Sequence, residues 1–348
     1  MFWGVRALSA ALLATTLTAC FGTQAFAEDA CHPLTLLTSV DLVRRDRDSR
    51  MYVPVSLQGK EKLMLLDTGG AVSEITSQVA DELGLQRRML GFVEVNISGE
   101  TSNQAADVSN FTIGQLTTKS IELVVSPFEA LFNGDTRYAG LIAPNILRQY
   151  DVDIDFGAPK LSLLSQDHCD GKVIYWPANA VAVVPMRVLK SGHIIVSLQL
   201  DGKPVTAELD TGASMSTLTL PVAESDYGLK MGSPDTPYLS EMADKPGAAI
   251  YHHRFKSLDF DGVAVGNLDV AILPDFLKDK YKQGPEIGSR LGDSRTDGEF
   301  ADMLLGMNVL KHLHVYIAYK EQKLYITPAS APSVATKETG AATPASQH

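Results

Sequence analysis

Two aspartates, 143 residues apart, carry the chemistry this sequence offers. Asp67 and Asp210 each open an Asp-Thr-Gly triplet, in KLMLLDTGGAVSEIT (62–76) and KPVTAELDTGASMSTLT (203–219). One such triplet is an ordinary turn between strands. Two with matched flanks are a repeat: an apolar run enters each, small residues follow, and a polar segment leads on to Gly84-Leu85 or Gly228-Leu229. Like carboxylates held a few ångströms apart cannot both ionise, so such a pair shares one proton. One member is then a base and the other an acid.

The elements that must position the pair also come twice. Residues 139–163 and 302–326 align without a gap, with Asn145 and Asn308, Leu147 and Leu310, Val152 and Val315, and Ile154 and Ile317 coinciding. Each reads as a buried strand, a short helix and a β-hairpin, with period-two alternation clear over Val152–Phe156. Upstream, Tyr52–Leu57 predicts a strand, 58–62 a polar turn and Leu63–Leu66 a buried strand ending at Asp67. Ser77 is expected to cap a helix through Leu83, stopped by Gly84. Ser197–Leu209, turning at Asp201-Gly202, corresponds to Ser56–Leu66 with two extra residues. Tandem duplication accounts for all of this economically. Residues 34–45 either add a strand or cross between the halves. Ser98-Gly99 and Pro246-Gly247 read as hairpin tips, and Phe276–Ala301 as a charged, glycine-rich loop, either a solvated excursion or a mobile wall.

A chain of 348 residues suits two lobes rather than one small domain, and 45% hydrophobic content fills two cores. A formal net charge of −11 argues against a nucleic-acid binder, which needs a basic face. The first residues read as an export signal: Arg6, an apolar run from Ala7 to Ala19, and Ala25-Phe26-Ala27 as a cleavage site. The competing reading is a lipobox at Leu17–Cys20, with Cys20 lipidated. Either removes Cys20 from the thiol count and leaves Cys31 and Cys169, a candidate disulfide or two free thiols. No later segment reaches the ~20 apolar residues of a membrane span.

Asp-Thr-Gly after a buried strand, followed later by a Leu-Leu-Gly-type run into a short helix (Leu304-Leu305-Gly306), resembles the aspartic peptidases. More narrowly, the chain is similar to two retropepsin-like units fused in tandem, the pattern of bacterial aspartyl proteases, over about Met51–Leu164 and Ile194–Thr327. The resemblance implies an all-β molecule of two pseudo-twofold-related β-barrel lobes with short helices, the acid protease fold. Its expected domains are a signal peptide 1–27, an N-terminal segment 28–50, lobe 1 at 51–165, a linker 166–193, lobe 2 at 194–327 and a disordered tail 328–348. It implies Asp67 and Asp210 as the catalytic pair, supported by Thr68, Gly69, Thr211 and Gly212, with Ser98 and Gly99 as a candidate flap. Glycine permits a tight loop against the opposite lobe, and the threonines bond across the axis. The first copy departs from the family pattern at Gly70-Ala71 and at Ala143, whose extra methyl either displaces the loop under Asp67 or is accommodated there.

The implied function is an exported aspartic endopeptidase, in the periplasm or secreted, or an outer-membrane lipoprotein if Cys20 is lipidated. A peptide or protein is the substrate, no cofactor is expected, and a monomer suffices for the site. The alternative is an inactive retropepsin-like fold serving as a binding or scaffold protein in the envelope. Other chemistries fit less well. His252-His253 and His312-x-His314 lack the His-Glu-x-x-His arrangement, read as surface or turn histidines, and no metal is expected. Ser73, Ser214 and Ser216 lack a Gly-x-Ser-x-Gly elbow.

Overall fold

The computed structural model describes residues 31–45, 49–91, 95–97, 100–126, 132–242, 245–274 and 301–330, without the side chains of 95–97, 100, 101, 245 and 246. Residues 1–31 form a unit of their own, of which Cys31 alone is described, and the second unit spans 32–348. Expectations at Cys20, Ser98, Gly99, the signal 1–27, the loop 276–300 and the tail beyond Ser330 lie outside the described residues.

Alternating aliphatic residues make the strands, and positive-φ pairs make their turns. Met51–Leu57 and Lys60–Leu66 face each other around Gln58-Gly59, with φ of 54° and 82°. Ile194–Leu200 and Lys203–Leu209 do the same around Asp201-Gly202, with φ of 48° and 75°. Both are two-residue turns of the kind whose twist matches the flanking strands. The hairpins therefore correspond at a constant spacing of 143, with no extra residues in the second. The polar text of 58–62 hides a two-residue turn, because Lys60–Lys62 already belong to the strand. Helix Ser77–Glu82 is capped by Thr76, not Ser77: the Thr76 hydroxyl accepts from Val79 N at 3.3 Å.

Each lobe is a barrel of six strands in one order. In the first these are Met51–Leu57, Lys60–Leu66, Tyr138–Ile142, Glu74–Thr76, Leu116–Ser126 and Gln104–Ile113. In the second they are Ile194–Leu200, Lys203–Leu209, Met303–Leu305, Thr217–Thr219, Ala264–Leu273 and Lys245–Asp259. Pairing of the last strand with the first, Ser56↔Thr112 and Gln199↔Asp259, closes each ring. Inward positions of alternate residues fill the interiors, with Val53, Val55, Met64, Leu66 and Ile75 in one and Val196, Leu198, Val205, Leu209 and Leu218 in the other. The second hairpin tip falls between Met242 and Lys245, slightly before Pro246-Gly247.

A sheet shared by both copies joins the barrels, in the order Leu36–Asp41, Lys160–Leu164, Asp151–Asp155, Leu313–Ala318, Lys323–Pro328, Ala182–Val188. Its seam is antiparallel, Val152↔Ile317 and Ile154↔Val315, so a pseudo-twofold axis relates the repeats. The segment before Met51 adds strands rather than crossing between the halves: Leu36–Asp41 extends the shared sheet beside Lys160–Leu164 and Val43–Arg44 pairs with Met51–Leu57, both against the first copy. The stretch between the lobes is more than a linker, since Ala182–Val188 pairs with Lys323–Pro328 and with Ile194–Leu200.

The alternation over Val152–Phe156 suggests a wet acidic face, yet Asp151, Asp153 and Asp155 are all buried. Partners from distant segments satisfy the first two, with His168 Nε2 2.7 Å from Asp151, His314 Nε2 2.6 Å from Asp153 and Tyr316 donating to Asp151 at 3.1 Å, while Asp155 accepts from Gly157 N and Ala158 N at 2.9 and 3.2 Å. His314 is thus a core residue stacked on Trp176, while His312 stays in the turn before its strand. Cys31 and Cys169 are disulfide-bonded. Among the described residues no helix is long and apolar enough to cross a membrane.

Candidate active site

Each Asp-Thr-Gly leaves the end of a buried strand, Lys60–Leu66 or Lys203–Leu209, and turns back under a short helix, Pro144–Leu147 or Met307–Leu310. The strand ends are pinned the same way twice: Asp67 N donates to Ile142 O and Asp210 N to Leu305 O, both at 3.0 Å. Leu66 and Leu209 are buried, so the triplets begin on rigid ground.

The two loops meet at the axis. Thr68 N donates to the Thr211 hydroxyl and Thr211 N to the Thr68 hydroxyl, each at 3.0 Å. The hydroxyls in turn donate across the axis, Thr68 to Leu209 O and Thr211 to Leu66 O, each at 2.7 Å. Both threonines are fully buried, and four reciprocal bonds lock the loops in register. A Cβ placed on Gly69 would lie 2.6 and 2.7 Å from the Asp210 carboxylate oxygens, and one on Gly212 would lie 2.8 Å from Asp67 Oδ2. Each glycine is therefore the floor against which the opposite aspartate rests.

That packing sets the Asp67 and Asp210 carboxyls against each other, close enough for each to act on the other electrostatically. Gly69 N donates to Asp67 at 3.0 Å, whereas Gly212 N and Ala213 N donate to Asp210 at 2.8 and 3.1 Å. Burial, and next the negative charge of Asp210, push the Asp67 carboxyl up to about 7. Burial raises Asp210 too, but the N–H groups of Gly212 and Ala213, the bond with Asp67 and the charge of Arg50 oppose it. The N–H groups of Gly212 and Ala213 and the charge of Arg50 favour the anion at Asp210.

Sequence reasoning missed what holds the loops from below. Ser73 N and Oγ both donate to Asn145 Oδ1, at 2.8 and 2.7 Å, and Ala143 N donates to Ser73 Oγ at 2.9 Å. Ser216, Asn308 and Gly306 repeat this at 2.7, 2.8 and 2.9 Å. The signal was present, because Ser73 and Ser216 share the spacing of the aspartates and Asn145 and Asn308 coincide in the downstream repeat. Arg50 was missed as well; it sits outside both repeats' motifs. The crowding expected at Ala143 does not arise. A Cβ on Gly70 would come within 3.3 Å of the Ala143 methyl, so the bare position after the first triplet makes room for it, while the second lobe has the reverse, Ala213 with Gly306.

The sequence profile of the aspartyl protease family matches residues 53–145 and 196–309, more than half of the chain, and both matched segments contain a triplet. No curated protein sequence matches the chain. Among solved structures, basic 7S globulin from soybean is similar with a TM-score of 0.49 and 11% identity, over 86% of this chain and 96% of its own. The aspartic proteinase from Irpex lacteus is similar with a TM-score of 0.46 and 12% identity, over 85% of this chain and 98% of its own. With its two-barrel fold and a profile match spanning both halves, the chain belongs to the aspartyl protease family.

Proposed function

We propose that this chain is an exported aspartic endopeptidase whose two carboxyls, Asp67 and Asp210, activate a water for attack on a peptide bond. The observation that carries the reading is the contact itself: two half-buried carboxyls from separate lobes, set against each other, each seated on the other lobe's glycine. Asp210, held by two backbone N–H groups, is the base that takes the water's proton as its oxygen adds to the carbonyl carbon. Asp67 keeps the shared proton and gives it to the carbonyl oxygen as negative charge develops there. The tetrahedral intermediate then collapses as the C–N bond breaks, with the proton on Asp210 passing to the leaving amine and one hydroxyl proton of the intermediate returning to Asp67, which restores the shared proton. The threonine clamp keeps both carboxyls in place while this happens, so little reorganisation is needed at the moment of reaction. Both aspartates come from one chain, and one copy therefore supplies the whole site. The disulfide-bonded cysteines support an oxidising, extracytoplasmic setting.

Asp210→Asn and Asp67→Asn test the reading on an unbiased peptide library between about pH 3 and 8. Loss of cleavage by at least about a thousandfold in both, with unfolding midpoints near wild type, is the expected result. A wild-type chain that cuts nothing across that range would leave the binding or scaffold reading in its place.

A further inference from the structure

Beside the first triplet the surface opens into a cavity of about 250 Å³ that the mechanism leaves unused. Its near wall is Ala71 and Val72, directly after Gly70, where a Cβ would lie 3.2 Å from Asp67 Oδ2. Consecutive Cα atoms are about 3.8 Å apart, so the cavity begins within about two substrate residues of the carboxyl pair. Val72, Leu90 and Val124 pack together as its apolar part. The rest of the lining includes Arg148, just past the helix Pro144–Leu147, and Lys190 and Ser191, from the turn between Ala182–Val188 and Ile194–Leu200. That turn is fixed to the helix: Arg148 Nη1 donates to Lys190 O at 3.4 Å, and a Cβ on Gly192, at φ 95°, would meet Pro144 Cβ at 2.5 Å.

The polar groups of this lining are donors with capacity to spare. Arg148 and Lys190 are exposed, and among the described residues neither meets a carboxylate. Asn145 uses its Oδ1 on Ser73 N and Oγ, which leaves Nδ2 without a partner among the described residues. The Ser191 hydroxyl is buried and has none either. Glu122, the one acid of the lining, is already paired with Arg88. The second lobe fills the same place from within. There Asn308 Nδ2 donates to Asp269 O at 2.7 Å, and Asp269 is itself bonded by Arg254 and His252. Glu122 is the matching residue of the first lobe, two before Val124 as Asp269 is two before Ala271, yet Asn145 makes no such bond to it.

Resting on the peptidase reading for what enters the site, we propose that this cavity is a subsite for a carboxylate of the peptide substrate, carried within about two residues of the scissile bond on the Asp67 side, with Arg148 and Lys190 as its specificity-determining residues. The guanidinium and the ammonium supply charge-assisted donors, Asn145 Nδ2 and the Ser191 hydroxyl supply neutral ones, and Val72, Leu90 and Val124 cover the methylenes that carry the acid. An arginine stays protonated in proteins, so the subsite keeps its sign wherever the substrate carboxyl is ionised. A glutamate or aspartate side chain and the free C-terminus of a short peptide share this chemistry. Neither cation is a catalytic residue, since neither touches the attacking water or the carbonyl.

Pools of random octapeptides with a reduced, uncleavable bond at the centre and amidated ends carry glutamate or glutamine fixed at one of the two positions on either side of that bond. A further pair of pools ends two residues after it, as free acid or as amide. Each pair is equilibrated at about pH 6, where glutamate is ionised, with wild type, the Arg148→Gln, Lys190→Gln double variant and the Arg148→Glu, Lys190→Glu double variant; ultrafiltration and mass spectrometry give the bound fractions. Wild type is expected to retain the acid member at least about tenfold more strongly in one pair, as one charge-assisted contact implies. Which pair it is tells a side chain from a chain end. The glutamine variant is expected to lose the preference while retaining the neutral member as wild type does, and the glutamate variant to favour the neutral member, an inversion that loss of packing alone would not give. No preference in any pair, or one that both variants keep, overturns the inference, even if the amide versions of these peptides are cleaved and the peptidase reading stands. A preference that the variants remove, without hydrolysis of any amide peptide, sustains the subsite and sinks the peptidase reading. Failure of wild type to bind any pool overturns both.

Discussion

Replacing Thr68 with valine removes one oxygen and almost no volume, and it tests whether the clamp holds the halves together. The Thr68 hydroxyl donates to Leu209 O at 2.7 Å and accepts from Thr211 N at 3.0 Å. Leu209 and Thr211 are 2% and 1% exposed, so water does not readily replace the lost partner. A buried backbone group deprived of its bond costs about 1–3 kcal/mol, and two such groups give about 2–6 kcal/mol. Thr68→Ser keeps the oxygen and gives up one methyl group, a loss of about 1 kcal/mol. Thr211→Val removes the mirror-image pair of bonds, to Leu66 O and Thr68 N. Because the two threonines act on one joint, the double valine variant should lose less than the sum of the singles, by about 0.5–3 kcal/mol. Urea midpoints at matched slopes measure all four proteins, with peptide cleavage followed in parallel. A Thr68→Val protein as stable as Thr68→Ser, or strictly additive singles, would refute the reasoning.

The same geometry sets three further outcomes. Gly212→Ala places a methyl carbon against the Asp67 carboxylate, well inside contact distance, and should lower kcat/KM by at least about a hundredfold with a smaller effect on unfolding. Gly70→Ala sets its methyl 3.3 Å from that of Ala143 and 3.2 Å from Asp67 Oδ2; it should weaken cleavage about tenfold, and adding Ala143→Gly should restore most of it. The pH dependence has a definite sign. A carboxyl raised on folding binds its proton more tightly in the native state, so its contribution to stability is greatest below the unfolded value near 3.8 and is lost as pH rises toward about 7. Denaturation midpoints should accordingly fall between about pH 4 and 7, cleavage should fail above about pH 7 as the shared proton leaves, and Asp67→Asn should flatten the stability slope.

The duplicated triplets were legible because the chemistry requires the same short run of residues twice, and the downstream repeat agreed with them. The two-lobed fold followed from that agreement. What could not be read was anything that depends on which distant segments meet. Val152–Phe156 has the alternation of a half-wet strand, but His168, Tyr316 and His314, from 17 to 165 residues away from the aspartates they meet, turn its acidic side into core. Ala182–Val188 has too little aliphatic alternation to stand out beside Gly192 and Pro185, and it becomes a strand because open edges on both sides accept it. Ala143 looked like a defect only while Gly70 was counted separately; their proximity is a tertiary fact. Thr76 won the helix cap over Ser77 by one residue, which local propensity does not separate.

The clamp also constrains the path by which this protein acquires its native state. Its four bonds join residues 141 to 145 positions apart, and contacts so remote in the chain form slowly, since the loop between them must first be ordered. A first half that folds ahead of the second displays a loop whose hydroxyl and amide await matching groups and a seam strand, Asp151–Asp155, with one edge open. An identical first half from another molecule offers those same groups, so crowded refolding should produce swapped pairs, and dilution should favour the monomer.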